Sequence, residues 1–210
     1  MKKLVIMHTV QNTIISMPPL IEKMYPGVFK VVNVLDDSLL NDIKAEGKLT
    51  KSVIERFVDY VLTSKNSGAD AILLACSSIG EAGDIARDII DIPLFKIDEP
   101  MAERAASLGK KILVLGTVKS TLEPTSRLIS KKGDVKVDST LIEGAFEISL
   151  SDPDKHDEMI KETVERNIDK YDVIVLAQAS MSRALDKIEI GKEKVLTSLP
   201  LGLEQLKEII

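Results

Sequence analysis

Short apolar segments recur along the whole chain, with helical patterns between them. They cover residues 3–8, 29–35, 71–75 and 93–97 in the first half, and 111–116, 135–139, 173–177 and 194–198 in the second. Runs of this length without polar alternation are typical of strands buried in a parallel sheet.

Amphipathic patterns between these segments predict helices. The pattern over 50–66 indicates a helix capped by Thr50, and that over 155–170 indicates a second one. Ser151 or Asp152 can cap the second helix, because Ser and Asp accept hydrogen bonds from unpaired amides at a helix start. A last helix is predicted over 199–210.

The second half of the chain repeats the first. Residues 2–14 align with 110–122 at an offset of 108, and residues 70–86 align with 172–188 at an offset of 102, with seven of 17 positions identical in the second pair. Two matches in the same order at nearly the same offset indicate duplication, although an accidental repeat within one doubly wound domain stays open.

Together these patterns predict an α/β fold of two pseudo-symmetric, doubly wound parallel-sheet lobes. We expect the first lobe to comprise 1–98 and 199–210 and the second 99–198. An active-site cleft is expected between them, because ligands in such folds bind beyond the carboxyl ends of the strands.

Composition narrows the functional classes. A net charge of −5 argues against a nucleic-acid partner, which needs a basic surface. The single cysteine, Cys76, excludes an internal disulfide and fits a reducing compartment. No apolar stretch approaches the roughly 18 residues of a membrane helix. The apolar run after Lys2 and Lys3 ends at His8, too short for a signal peptide. We therefore expect a cytoplasmic protein.

Polar turns follow the strands at the expected ligand-binding edge. Backbone N–H groups and the helix dipole at such turns favour an anion, which suits a small carboxylate. The carboxylate-binding candidates are Thr9, Asn12, Thr13, Ser77, Ser78, Thr117, Ser120, Thr121 and Ser180. Ordinary helix capping would use the same side chains, and both roles can hold at once.

The segments "LLACSSIG" and "LVLGTVKST" resemble motifs of the aspartate/glutamate/hydantoin racemase family. The resemblance implies two α/β lobes with one cysteine after the third strand of each. In that family the two thiols face opposite sides of the substrate α-carbon, and one removes the proton that the other returns, without a cofactor. Cys76 corresponds to the first thiol, and Gln178 stands at the position of the second. Glutamine is not a proton base at neutral pH, but it donates and accepts hydrogen bonds.

Cys76 therefore has two interpretations. It is either a small buried apolar residue near a strand end or an acid–base or nucleophilic catalyst. A helix N-terminus stabilises a thiolate, which favours the second interpretation. His8 is a further candidate proton carrier, with a cap at a strand end as the alternative. Glu99 is a candidate acid, with an ordinary role in the first turn of a helix as its alternative. His156 lies in a charged helix start, where we expect it to be solvated.

These observations predict a cofactor-independent enzyme that uses a cysteine for proton transfer next to the carboxylate of a small acid or amino acid. A one-cysteine decarboxylase or isomerase of the same family is one alternative. A two-lobed small-molecule-binding protein without catalysis is another. No metal-ligand spacing and no nucleotide motif is present, and a homodimer or higher homo-oligomer stays open.

Overall fold

The computed structural model describes all residues from 1 to 210, and the chain forms two compact units. Unit 1 comprises Met1–Ile97 and Gly202–Ile210, and unit 2 comprises Asp98–Leu201. Each unit contains one four-stranded parallel sheet, in the order β2-β1-β3-β4 in unit 1 and β6-β5-β7-β8 in unit 2. The α/β fold with two equivalent parallel sheets is thus confirmed.

The elements of unit 1 follow one another as strand and helix. Its strands are β1 (Lys2–His8), β2 (Phe29–Leu35), β3 (Ala71–Leu74) and β4 (Leu94–Lys96). Its helices are α1 (Gln11–Met24), α2 (Ser38–Glu46), α3 (Lys51–Asn66) and α4 (Gly80–Arg87), with a short 3-10 helix at Ser77–Ile79.

Unit 2 repeats this arrangement. Its strands are β5 (Lys111–Gly116), β6 (Lys136–Leu141), β7 (Val173–Leu176) and β8 (Val195–Thr197). Its helices are α5 (Glu99–Leu108), α6 (Lys119–Lys132), α7 (Ala145–Ile148) and α8 (Pro153–Glu165), with 3-10 helices at Ala179–Asp186 and Lys192–Lys194. Helix α9 (Ser198–Glu204) leads the chain back into unit 1, where a 3-10 helix at Gln205–Ile209 ends it.

The helices predicted over 50–66 and 155–170 form with differences at the ends, whereas the one predicted over 199–210 is an α-helix only to Glu204 and continues as a 3-10 helix. Thr50 accepts a hydrogen bond from the Val53 amide, and Asp152 accepts one from Lys155, so both are N-caps. Helix α8 ends at Glu165 rather than 170, where the Asn167 backbone amide donates to the Val164 carbonyl at 2.9 Å and its side chain donates to the Thr163 carbonyl at 2.8 Å. That carbonyl would otherwise receive the backbone amide of Asn167 in a continuing helix.

Both sheets are held by aliphatic cores, as an aromatic content of 3% requires. In unit 1, Phe57 on α3 is fully buried in the same apolar cluster as Val5 of β1 and Leu74 of β3. In unit 2, separate apolar clusters cover the two faces of the sheet, one around Leu113 and Ile160 and the other around Val114. No helix is both long enough and apolar enough to span a bilayer.

Candidate active site

Strands β1 and β3 bring two polar turns together at the carboxyl edge of the unit 1 sheet. They are hydrogen-bonded neighbours, and the Ala75 amide donates to the Met7 carbonyl at 3.0 Å just beyond the last pair of strand residues. Thr9 and Cys76, the residues that follow, therefore lie at the same edge. Such an edge is where ligands bind in doubly wound sheets.

Cys76 joins β3 to the 3-10 helix Ser77–Ile79. Its backbone is extended, with φ −145° and ψ 117°, and it is the residue immediately before that helix. The side chain is half-buried and packs against the apolar cluster of unit 1, whereas Ser77 and Ser78 are buried. The thiol thus stands at the boundary between the core and the edge of the sheet.

The imidazole of His8 is held on both ring nitrogens. Nδ1 lies 2.7 Å from Thr13 Oγ1, and Nε2 lies 3.0 Å from Asn33 Oδ1. The ring is only 2% exposed, and this burial lowers the pKa of His8, although the Asn33 contact opposes the shift. His8 is therefore enclosed within unit 1, with both ring nitrogens engaged.

The duplication seen in the sequence is reproduced in hydrogen bonds. In unit 2 the Ala177 amide donates to the Leu115 carbonyl at 2.8 Å, as Ala75 does to Met7 in unit 1. The Thr121 hydroxyl donates to the Val118 carbonyl at 2.7 Å, and the equivalent bond from Thr13 to Val10 measures 2.9 Å. These matching hydrogen bonds agree with the duplication that the sequence repeat indicates.

A second repeated contact lies at the opposite ends of the strands. Asp70 Oδ2 accepts the Lys3 amide at 2.6 Å, while Asp172 Oδ2 accepts the amides of Lys111 and Lys110 at 2.8 and 2.9 Å. The two amides lower the pKa of the Asp172 carboxyl. The sequence comparison pairs these aspartates, and the structure gives them a common role in fixing β1 and β5.

Gln178 occupies the position in unit 2 that Cys76 occupies in unit 1. Its backbone is also extended, with φ −127° and ψ 140°, and it likewise precedes a 3-10 helix. Its carboxamide turns toward the β5 turn, where Oε1 accepts the amides of Thr117 at 2.6 Å and Val118 at 3.2 Å. Nε2 lies 2.9 Å from Thr117 Oγ1. These hydrogen bonds hold the Gln178 side chain against Thr117.

The other predicted site residues differ in accessibility. Thr9, Thr13, Thr117 and Thr121 are buried, Ser120 is half-buried, and Asn12 and Ser180 are exposed. Glu99 starts α5, and its carboxylate lies 3.4 Å from Lys132 Nζ. The active-site cleft expected between the two lobes stays a prediction.

The expectation that His156 is solvated is wrong. His156 is 3% exposed, and its Nδ1 lies 2.9 Å from Asp157 Oδ1. Asp157 is itself buried, and its Oδ2 forms an ion pair with Arg183 Nη2 at 2.9 Å. The charged sequence around His156 hid this arrangement, because α8 turns these two residues inward while Asp154 stays exposed. No group of three or more His, Cys, Asp or Glu side chains is arranged to hold a metal ion.

Comparisons with known proteins agree with this geometry. A family model described as Asp/Glu/Hydantoin racemase matches residues 33–205. The chain therefore belongs to the Asp/Glu/hydantoin racemase family. A search of curated proteins finds no match.

Solved structures share the fold at low sequence identity. Allantoin racemase from Klebsiella pneumoniae is 11% identical, with a TM-score of 0.72 over 100% of this chain and 87% of its own. Aspartate racemase from Picrophilus torridus is 14% identical, with a TM-score of 0.72 over 100% and 94%. Glutamate racemase from Francisella tularensis, in complex with D-glutamate, is 15% identical, with a TM-score of 0.73 over 99% and 80%. Family and fold together support a racemase- or isomerase-type enzyme.

Proposed function

We propose that this protein is a cofactor-independent enzyme in which Cys76 transfers a proton at the carbon next to the carboxylate of a small acid or amino acid. The observation that carries the proposal is the position of Cys76. The only thiol of the chain stands directly after β3, half-buried at the start of a 3-10 helix. Amide N–H groups at such a helix start stabilise a thiolate, which is the form of cysteine that accepts a proton.

Gln178 favours a reaction with one base. It is the structural counterpart of Cys76 in unit 2, and its carboxamide neither accepts nor releases a proton at neutral pH. Racemisation by two opposed thiols is therefore not expected. Decarboxylation, isomerisation or one-sided epimerisation needs a single proton donor or acceptor and stays compatible with this pair.

Substrate binding is assigned to the turns at the carboxyl edges of the sheets, with Thr117 as a candidate in unit 2 and the carboxylate assigned to the turns of unit 1. Ser77 and Ser78 adjoin Cys76, and Thr9 follows β1 at the same edge. Donors at this edge would stabilise the negative charge that develops when a proton leaves the carbon next to a carboxylate. The Thr13 and Thr121 hydroxyl protons are engaged by Val10 and Val118, which supports a structural role for these two threonines.

His8 and Glu99 are given supporting roles. Both ring nitrogens of His8 are hydrogen-bonded inside unit 1, which supports positioning of the β1 turn rather than proton transfer. The contact between Glu99 and Lys132 likewise supports a structural role for this carboxylate.

A small-molecule-binding protein without catalysis is the second candidate. The observation in its favour is that the second thiol is replaced by a carboxamide whose oxygen accepts the backbone amides of Thr117 and Val118. Alkylation of Cys76 separates the two functions. An enzyme loses turnover, whereas a binding protein loses only affinity for its ligand.

The proposal is tested with Cys76→Ala and Cys76→Ser on a carboxylate substrate identified by thermal shift. A specific ligand at 100 times its Kd adds about 2.7 kcal/mol of stability, which such a screen detects. We expect each variant to fold as the wild type does and to lose at least about 100-fold in rate, the usual weight of an acid–base group. Near-wild-type turnover by Cys76→Ala would remove the thiol from the mechanism. Ser107→Ala, at an exposed position near the end of α5 and outside the candidate site, is the control for nonspecific effects.

A further inference from the structure

The Thr117–Val118 turn presents two backbone amides that converge on one point. Both donate to the same atom, Gln178 Oε1, at 2.6 and 3.2 Å. Val118 is also the residue from which α6 starts, so the dipole of a 14-residue helix favours a negative charge at this point. An uncharged amide oxygen therefore occupies a position where two backbone amides and the dipole of α6 favour an anion.

Chemistry fixes which way the carboxamide faces. The two backbone groups are donors only, so the oxygen and not the nitrogen of Gln178 must point at them. The nitrogen then lies 2.9 Å from Thr117 Oγ1. Thr117 and Val118 are 6% and 8% exposed, so the donors of this turn are largely shielded from water, where an unpaired donor is costly, whereas Gln178 itself is half-buried.

The length of the glutamine side chain and the space beside Gly116 both allow this contact. A cysteine ends one bond beyond Cβ, too short to reach the turn that the carboxamide reaches. Gly116 leaves room for it, because a Cβ at that residue would lie 3.4 Å from Gln178 Oε1 and 3.0 Å from Thr121 Oγ1. In unit 1 the aligned residue is His8, whose side chain bonds to Thr13 instead.

We infer that Gln178 is a specificity-determining residue that excludes carboxylates from the Thr117–Val118 turn by filling it with its own oxygen. The substrate group that meets this turn is then neutral, such as a hydroxyl, carbonyl or amide. The substrate class is a carboxylic acid with one carboxylate rather than a dicarboxylate. This inference rests on the proposed function, which counts Thr117 among the substrate-binding residues.

The experiment follows the amide signals of Thr117 and Val118 by ¹H–¹⁵N NMR during titration with acetate, against sodium chloride at equal ionic strength. Gln178→Ala removes a group with the shape of acetamide, so acetate fits the space that it leaves. Gln178→Cys removes the carboxamide but keeps one atom beyond Cβ, and it is the second variant in case the first is poorly folded. Gln178→Glu is the matched control, because it keeps a tethered carboxyl group on the same two amides.

We expect saturable acetate shifts of both signals in the Ala and Cys variants, with an apparent Kd at least about ten-fold below any in the wild type. Wild type and Gln178→Glu should respond no more to acetate than to chloride. Equal acetate responses in wild type and Gln178→Ala would overturn the inference, and so would the absence of a response in all four proteins. The signals need no turnover, so this result is independent of whether Cys76 proves catalytic.

Discussion

The Nδ1 atom of His8 lies 2.7 Å from the hydroxyl oxygen of Thr13, and Nε2 of the same ring lies 3.0 Å from Asn33 Oδ1. The single hydroxyl proton of Thr13 is donated to the Val10 carbonyl at 2.9 Å. The His8 ring is therefore held between Thr13 on α1 and Asn33 on β2. Through Thr13 and Val10 the same contacts join the end of β1 to the start of α1.

Replacing His8 by Asn should remove one pH-dependent part of stability. Burial lowers the pKa of His8 below its ordinary 6.5, so the unfolded chain takes up this proton more readily than the folded one. Between the lowered pKa and about 6.5, the free energy of unfolding rises with pH. Urea unfolding from pH 5 to 8 should show a shallower rise in His8→Asn, whose amide can still donate to Thr13. The same slope in both proteins would contradict this role.

Asp157 should be a strong contributor to the stability of unit 2. Its carboxylate is 2% exposed and joins His156 on α8 to Arg183 on the 3-10 helix after Gln178. Asp157→Ala leaves the buried Nδ1 of His156 without this partner, which costs about 1–3 kcal/mol. Asp154→Ala, on the same helix with its side chain 87% exposed, should cost about 0–1 kcal/mol. Equal effects of the two changes on chemical denaturation would refute the assignment.

Asp172→Asn should destabilise the protein at neutral pH but not in acid. The amides of Lys111 and Lys110 hold the pKa of Asp172 below its ordinary 3.8. This stabilisation is fully present above 3.8 and is lost as the pH falls through the lower folded-state pKa. The difference in unfolding free energy between wild type and variant should therefore close in acid. Thermal unfolding of both proteins at pH 7 and below pH 3 measures this difference. A difference that does not change with pH would contradict a stabilising role for the Asp172 charge.

Gly116→Ala should disturb the turn that holds Gln178. An added Cβ would lie 2.8 Å from Leu122 Cδ2 and 3.0 Å from Thr121 Oγ1, so neighbouring atoms must move. Overpacking of this kind costs about 1–3 kcal/mol. Gly80→Ala is the control, because the nearest atom to its Cβ is 4.0 Å away. Comparable stability of the two variants in urea would show that the turn has more room than these distances imply.

Much of the fold follows from local sequence patterns. Each predicted strand lies within two residues of its final bounds at both ends, because uninterrupted apolar runs between polar turns define buried strands. The repeat correctly pairs Thr13 with Thr121 and Asp70 with Asp172, whose side chains prove to make matching hydrogen bonds.

The contacts of individual polar side chains could not be predicted from local sequence patterns. His156 lies among charged residues, and its burial depends on how α8 packs against the 3-10 helix at Ala179–Asp186. Gln178 was predicted as the counterpart of Cys76, but the return of its carboxamide to Thr117 depends on side-chain length and on the space beside Gly116. Such contacts arise from tertiary packing and leave no periodic signal in the sequence.

The most direct test of the proposed mechanism is the face at which solvent deuterium enters the substrate or product carbon next to the carboxylate. A single thiol without a second base delivers the proton to one face, so the reaction run in D₂O should label one enantiomer, and Cys76→Ala should not label it at a comparable rate. Label on both faces with inversion would reveal a second base, and undiminished labelling by Cys76→Ala would contradict the role of the thiol.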